Sequence, residues 1–253
     1  MEKRQDSLYV STLARGLKIL RAFDESHVAL SLTDLVERTG LEKSAVQRMA
    51  HTLHVEGMLE RDANTRRFRP SHAWLQLAYA YYWSDPLIAR ALPKLIEFSQ
   101  ANAETVNLAQ MSGEHIIYSL RLPTQRIHFG ASIVGRRVPV LNTAAGRVML
   151  STRSDAEIDA ACASWTMEAW THKTVMDRAE IARRVRAAGR DGYCITRDQM
   201  LLNEISLAAP VKGPDGIAHA AVQISISAID ANEDQVVQKF LRSLLDTAAG
   251  ILG

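Results

Sequence analysis

Along the first 71 residues, apolar side chains recur three and four apart, the spacing of one helix face. "STLARGLKILRAF" sets Leu13, Leu17 and Leu20 in one stripe with Phe23 behind, predicting a helix of about three turns that docks through that stripe. In "LSLTDLVERTG", Leu32, Leu35 and Val36 make an apolar edge. Ser31 and Asp34 stand as a capping box with Asp in the usual Glu or Gln place, and Gly40 falls where a helix end needs positive φ. A helix starting near Lys43 then carries Val46, Met49, Ala50 and Leu53 on one face, and Ser44, Gln47, Arg48 and His51 on the other. Short helix, glycine turn and second helix make a helix-turn-helix. Met58 to Arg61 and Arg67 to Arg69 read as two short strands around an Asp-Ala-Asn-Thr tip, a β-wing. The expected first domain, residues 1–71, is a winged helix-turn-helix.

The pattern changes after Ser71. Trp74, Leu75, Leu77, Ala78, Tyr81 and Tyr82 form a broad apolar band on a helix ending before Asp85-Pro86. A linker helix this apolar, over 72–84, needs a packing partner, and a second copy of itself would supply one. The remaining residues, 85–253, read as an α+β domain on an antiparallel sheet. "LIARALPKLIEFSQANA" is a helix, and "TVNLAQM" and "HIIYSL" pair across Ser112-Gly113-Glu114. "GRRVPVLNTAAGRVMLS" is a loop entering a helix near Thr143, and "DRAEIARRVRAAGRDG" is a helix ending around Gly189. "EISLAAPV" and "IAHAAVQISIS" are strands around a Lys-Gly-Pro-Asp-Gly turn, and a terminal helix runs from Asn232. Strand alternation puts Val222, Ile224 and Ile226 on one face and Gln223, Ser225 and Ser227 on the other. Ile205 and Leu207 likewise oppose Glu204, Ser206 and Ala208. The polar face either lines a small-molecule cavity or is simply solvated.

Composition narrows the function. The 253 residues are 47% hydrophobic and carry a net charge of +2, so the core is ample and the charge alone demands no polyanion. Within residues 1–71, however, 12 Lys and Arg stand against 10 Asp and Glu, with Arg61, Arg66, Arg67 and Arg69 clustered on the wing. Lys43, Ser44, Gln47, Arg48 and His51 offer side chains that bond base edges, Arg and Gln bidentately. Arg61, Arg66 and Arg67 would take phosphates or the minor groove. A polar stripe on a surface helix can also be mere solvation, and the helix-turn-helix spacing favours DNA. Cys162 and Cys194 make neither metal spacing nor a disulfide framework, which fits a reduced cytoplasmic compartment. No secretory or membrane-spanning segment is read. No nucleophile, phosphate-loop or metalloprotease motif occurs, so neither an enzyme nor a cofactor is expected.

In order along nearly the whole chain, "STLARGLKILRAF", "LSLTDLVERTGLEKSAVQRMAHTLHVEGMLER", "GRRVPVLNTAAGRVML" and "ISLAAPVKGPDG" resemble the IclR family of bacterial transcription regulators. The resemblance implies an N-terminal DNA-binding domain, a dimerising linker helix and a C-terminal effector-binding domain of GAF/PAS-like antiparallel-sheet build, with dimers often pairing into tetramers. It implies operator double-stranded DNA and a small organic effector as partners, in control of a catabolic operon for an aromatic or related compound. Carried over by position, the effector pocket is lined by Ile127, Val138, Thr143, Ala144, Ala145, Thr196, Asp198, Ser206, Ser225 and Ser227. Three departures stand out. The acidic stretch before "AAPV" keeps only Asp198, Asn203 replaces a common glycine, and Glu204 replaces an apolar residue.

Glu204 shares a face with Ser206 and so joins the implied pocket. As a carboxylate it would repel a ligand carboxylate and favour a hydrogen-bond donor, through a charge-assisted bond worth roughly 1.5–3 kcal/mol. The alternative is a Glu204 turned to solvent, or paired with Arg197 or Arg126. At the level of the whole protein, the rivals to an effector-controlled regulator are an enzyme fused to a DNA-binding domain and an effector-independent DNA-binding oligomer.

Overall fold

The computed structural model describes residues 8–123 and 134–252, which form two compact units, residues 1–84 and 85–253. In the first, helices α1 (Ser11–Leu20), α2 (Leu32–Thr39) and α3 (Lys43–Val55) precede a two-stranded wing, β1 (Leu59–Arg61) and β2 (Phe68–Pro70). The start of α2 follows from its sequence. Ser31 Oγ accepts from the Asp34 amide at 3.2 Å, and the Asp34 carboxylate accepts from the Ser31 amide at 2.9 Å. Gly40 ends the helix at φ 62°, where a Cβ would be strained. Ile19, Leu35, Val46, Ala50, Leu59 and Phe68 make the core of the unit, and Leu20, Phe23, Met49 and Leu53 pack against it. Each fully buried side chain there contributes about 1.5–3 kcal/mol.

The face of α1 differs from the expected one. Leu13 and Leu17 are 62% and 42% exposed, and the helix docks through Ile19, with Ala22 just beyond its end. Leu20 of the expected stripe and Ile19 beside it face the core, where α1 meets α3 and α2, and the stripe's first two leucines do not. Helix α4 (Ala73–Ser84) belongs to the same unit and has no buried residue. Its start is pinned by the Trp74 indole N–H donating to the Met58 carbonyl at 2.9 Å and by Phe23 meeting the Trp74 ring edge-on.

The second unit is a six-stranded antiparallel sheet, in the order β5-β4-β3-β8-β7-β6. Its strands are β3 (Thr105–Ser112), β4 (His115–Leu122), β5 (Arg137–Pro139), β6 (Cys194–Arg197), β7 (Glu204–Lys212) and β8 (Ala218–Ser227). Helices α5 (Pro86–Asn102) and α9 (Glu233–Leu252) pack on one side, and α6 (Ala144–Leu150), with α7 (Asp155–Ser164) and α8 (Arg178–Asp191) outside it, covers the other. Both faces are therefore buried, and the reading of a sheet with one solvated face is set aside. Helix α8 runs past Gly189 to end on Gly192, at φ 78°, because Gly189 still has helical geometry and fits closely against the Ser151 backbone. Strands β5 and β6 and helix α7 were not anticipated; the strands are three and four residues long and sit at the sheet edges. Among the described residues, no helix is long and apolar enough to cross a membrane.

Candidate functional site

Two surfaces carry the chemistry. In the first unit, Val46 and Ala50 are buried and Lys43, Ser44, Gln47, Arg48 and His51 are all exposed, so α3 presents the predicted polar row outward as one continuous stripe. His54 does not join it. Its Nδ1 lies 3.0 Å from the Leu59 carbonyl and its ring meets Phe68 edge-on, so this histidine ties α3 to the wing. The wing arginines divide. Arg66 sits exposed at the tip with φ 57°, in a turn built by Asp62 accepting from the amides of Asn64 and Thr65. Arg61 lies over the Phe68 ring at 5.4 Å. Arg67 turns back onto its own domain, donating to the Asp34 carboxylate at 2.9 Å and the Ala29 carbonyl at 3.0 Å. It fixes the wing against α2, so a phosphate contact would have to compete with those bonds.

In the second unit a small cavity, with free room of about 10 Å³, lies on the α6 side of the sheet, lined by Tyr118, Thr143, Ala144, Thr196, Gln199, Met200, Glu204, Ser206 and Gln223. Register explains its polarity. Thr196 pairs with Ser206, Ser206 with Ser225 and Ser225 with Thr105, which sets a polar row across four strands. Tyr118 reaches this face through a bulge: Leu108 pairs with Leu120 but Ala109 with Tyr118, so Ser119 is extra and the facing of β4 switches. The Gln223 Nε2 donates to Tyr118 Oη at 3.3 Å and Ser206 Oγ at 3.4 Å, and its Oε1 accepts from the Ala145 amide at 3.3 Å.

The opposite wall depends on α6. Gly146 is required there, since a Cβ would stand 2.2 Å from the Val140 carbonyl oxygen. The fully buried Arg147 donates from Nε to the Leu141 carbonyl at 2.8 Å and from NH2 to Gln199 Oε1 at 3.2 Å. Burial pushes its guanidinium down to about 10. Gln199 is held further by the Val175 amide and by its own bonds to the Arg197 and Lys173 carbonyls, and so becomes a rigid part of the wall.

Glu204 is only 7% exposed, and its Oε1 accepts from Ser206 Oγ at 2.6 Å and Ser225 Oγ at 3.4 Å. The solvent-facing alternative is excluded, and Arg197 instead lies 3.7 Å from Asp198. Loss of hydration raises the Glu204 carboxyl above the usual range, against the pull of both serine hydroxyls and of Arg121 and Arg136. Burial works against the ionised form, and Arg126, the other expected partner, falls outside the described residues.

Of the anticipated pocket residues, the fold brings Thr143, Ala144, Thr196, Glu204 and Ser206 onto the cavity. Ser225 stands directly behind Glu204, and Ala145 touches the network through its amide. Three others lie elsewhere. Val138 packs in the core opposite Ile116, and Ser227 accepts from the Ile229 amide at the strand end. Asp198, at φ 57°, braces the turn before β7 through the Asn203 amide and Lys173. Ile127 falls outside the described residues. Tyr118, Gln199 and Met200 were missed. Alternation puts Gln223 on this face, though not among the carried-over pocket residues, whereas Tyr118 needed the bulge.

A winged helix joined to a sheet domain with a buried polar cavity defines a DNA-binding regulator that answers to a small molecule. Residues 12–63 match the IclR helix-turn-helix domain and residues 79–252 the bacterial transcriptional regulator IclR C-terminal domain. The chain belongs to the IclR family of transcriptional regulators. It is 29% identical over 241 residues to the Pca regulon regulatory protein of Pseudomonas putida, covering 95% of this chain and 82% of that one. The fold is shared with the IclR transcriptional regulator of Alicyclobacillus acidocaldarius (TM-score 0.83, 20% identity, 96% and 98% of the two chains). It is shared also with an IclR homolog from Microbacterium hydrocarbonoxydans complexed with 4-hydroxybenzoate (TM-score 0.75, 22% identity, 95% and 97%).

Proposed function

We propose that this regulator binds its operator as a homodimer and that its effector is a single-ring aromatic acid held in the cavity of the second unit. The cavity carries the reading. Neutral hydroxyl and amide groups dominate its lining, and with free room of only about 10 Å³ its walls must part to admit an effector. An oxygen-bearing molecule matches that polar lining, in line with the 4-hydroxybenzoate held by the Microbacterium homolog and with the Pca regulon named for the Pseudomonas relative. Thr143, Ala144, Thr196, Glu204 and Ser206 would contact the effector, with Ser225 and Ala145 supporting them.

On the DNA side, Lys43, Ser44, Gln47, Arg48 and His51 would enter the major groove, and Arg66, with Arg61 beside it, would take the backbone or minor groove. The exposed apolar row on α4 supplies the dimer contact. The effector would act by binding one dimer arrangement better than the other and so changing operator affinity. No chemistry on the effector is part of this reading, and the protein would act in the cytoplasm beside its operator. The test is operator binding followed by fluorescence anisotropy, using DNA from upstream of the gene, with and without 4-hydroxybenzoate. A shifted dissociation constant with the probe recovered unchanged supports the reading. Unshifted binding refutes the effector assignment, and a converted probe favours an enzyme.

A further inference from the structure

Glu204 holds an unusual position. It is the sole carboxyl on the described cavity wall, and no Lys, Arg or His lines that wall with it. Both hydrogen bonds it receives fall on Oε1, which leaves Oε2 to meet whatever enters. Around it stand Tyr118 and Arg121 on β4, Thr196 on β6, Ser225 and Gln223 on β8, Gln199 before β7, and Arg136 ahead of β5. Arg121 and Arg136 act on Glu204 through their charge alone. Arg121 donates to the Asn107 side chain at 3.2 Å and Arg136 lies over the Trp170 ring at 4.9 Å.

Two carboxylates at hydrogen-bond distance do not both stay ionised in a site that excludes water. A ligand carboxylate placed against Oε2 therefore needs a proton between the two groups. We propose that Glu204 selects an acidic effector by donating an Oε2–H hydrogen bond to its carboxylate, with uptake of one proton wherever Glu204 starts ionised. The inference rests on the aromatic-acid reading above. Oε1, as the carbonyl oxygen of the acid, keeps accepting from Ser206 and Ser225. The proton comes from solvent, and the complex holds one negative charge shared over two carboxyl groups. An oxygen–oxygen bond of this kind is short and charge-assisted, and it rejects neutral analogues that lack the anion. Among the described residues the wall thus recognises a carboxylate by a hydrogen bond and not by a direct ion pair, with the Arg121 and Arg136 charges further off, and the site is coupled to pH.

The experiment is calorimetry of 4-hydroxybenzoate on the full-length protein between about pH 6 and pH 8.5, in two buffers of different ionisation enthalpy. Affinity is expected to fall by up to about tenfold per pH unit once Glu204 ionises, with close to one proton taken up per probe. Glu204→Gln keeps a carbonyl and gains a permanent N–H donor. It should bind at least tenfold more tightly than the wild type at the upper pH, with no slope and no proton uptake. Affinity that rises with pH, or weaker binding by Glu204→Gln, overturns the inference and makes Glu204 an ionised acceptor for the effector's hydroxyl. A bound probe with a flat profile over the range in which the Tm difference between wild type and Glu204→Gln shows Glu204 titrating also overturns it while leaving the aromatic-acid reading standing. Absence of binding in both proteins at every pH overturns the aromatic-acid reading and this inference together.

A ligand-free readout stands beside these. The folded protein raises the Glu204 carboxyl above its unfolded value, so its stabilising contribution is present at low pH and is lost as pH rises from the unfolded carboxylate range through the folded value. Glu204→Gln should therefore gain Tm relative to the wild type as pH rises. A gain that does not grow with pH contradicts the titration on which the inference depends.

Discussion

Gly146 and Arg48 show how much one side chain decides in each unit. A Cβ on Gly146 would run into Val140 backbone, which has no side-chain freedom with which to yield. Gly146→Ala is expected to cost at least about 1–3 kcal/mol, read as a lower urea midpoint for the sheet domain. An unchanged midpoint would mean that α6 slides away from the turn before it. Arg48 lies exposed in the middle of the outward row of α3, whereas Arg66 lies at the wing tip. Arg48→Ala should cost ~1–3 kcal/mol on the operator and relax preference at one base position. Arg66→Ala should weaken binding on all sequences alike and flatten its salt dependence. Equal, sequence-blind losses from both would remove α3 as the reading helix.

At the scale of elements, α4 is the outlier. Leu75, Leu77, Tyr79, Tyr81 and Trp83 are all at least half exposed on a helix with no buried residue, and Leu13 and Leu17 of α1 are exposed in the same unit. A run of large apolar groups left open to water is the mark of an association surface. Leu77→Glu with Tyr81→Glu should convert the protein to monomer by light scattering at micromolar concentration and weaken operator binding. A double variant that stays dimeric would move the interface off α4. The apolar character of α4 was plain from its sequence. The outward turn of Leu13 and Leu17 was not, because apolar spacing says which residues share a face and not how much of that face the neighbours will cover. Sheet edges were hard to read for a related reason: three or four residues give too few positions for alternation to register.

For the whole molecule the claim is a coupling free energy between the cavity and the reading helices, and such a coupling is reciprocal. If 4-hydroxybenzoate changes operator affinity by some factor, saturating operator must change 4-hydroxybenzoate affinity by the same factor. Anisotropy and calorimetry on one preparation measure both. Unequal factors would mean that the two ligands do not bias a single two-state equilibrium.

The sequence by itself determined the helix-turn-helix, its caps, the outward row of α3, the wing and the long strand pair β7–β8. Each is written in local periodicity or in a turn residue such as Gly40, and local geometry suffices to read it. It also put Glu204, Ser206 and Ser225 on one face, because a strand alternates strictly unless something interrupts it. Tertiary structure alone decided the rest. Whether that face met water or a cavity depended on α6 closing over it. Tyr118 joined the wall only through an extra residue in β4, and Gln199 through contacts distant in sequence, with Val175, Lys173 and a buried arginine 52 residues earlier in the chain. The protonation tendency of Glu204 lay beyond the sequence for the same reason: it is set by how much water the surrounding elements exclude, a property of packing and not of the order of residues.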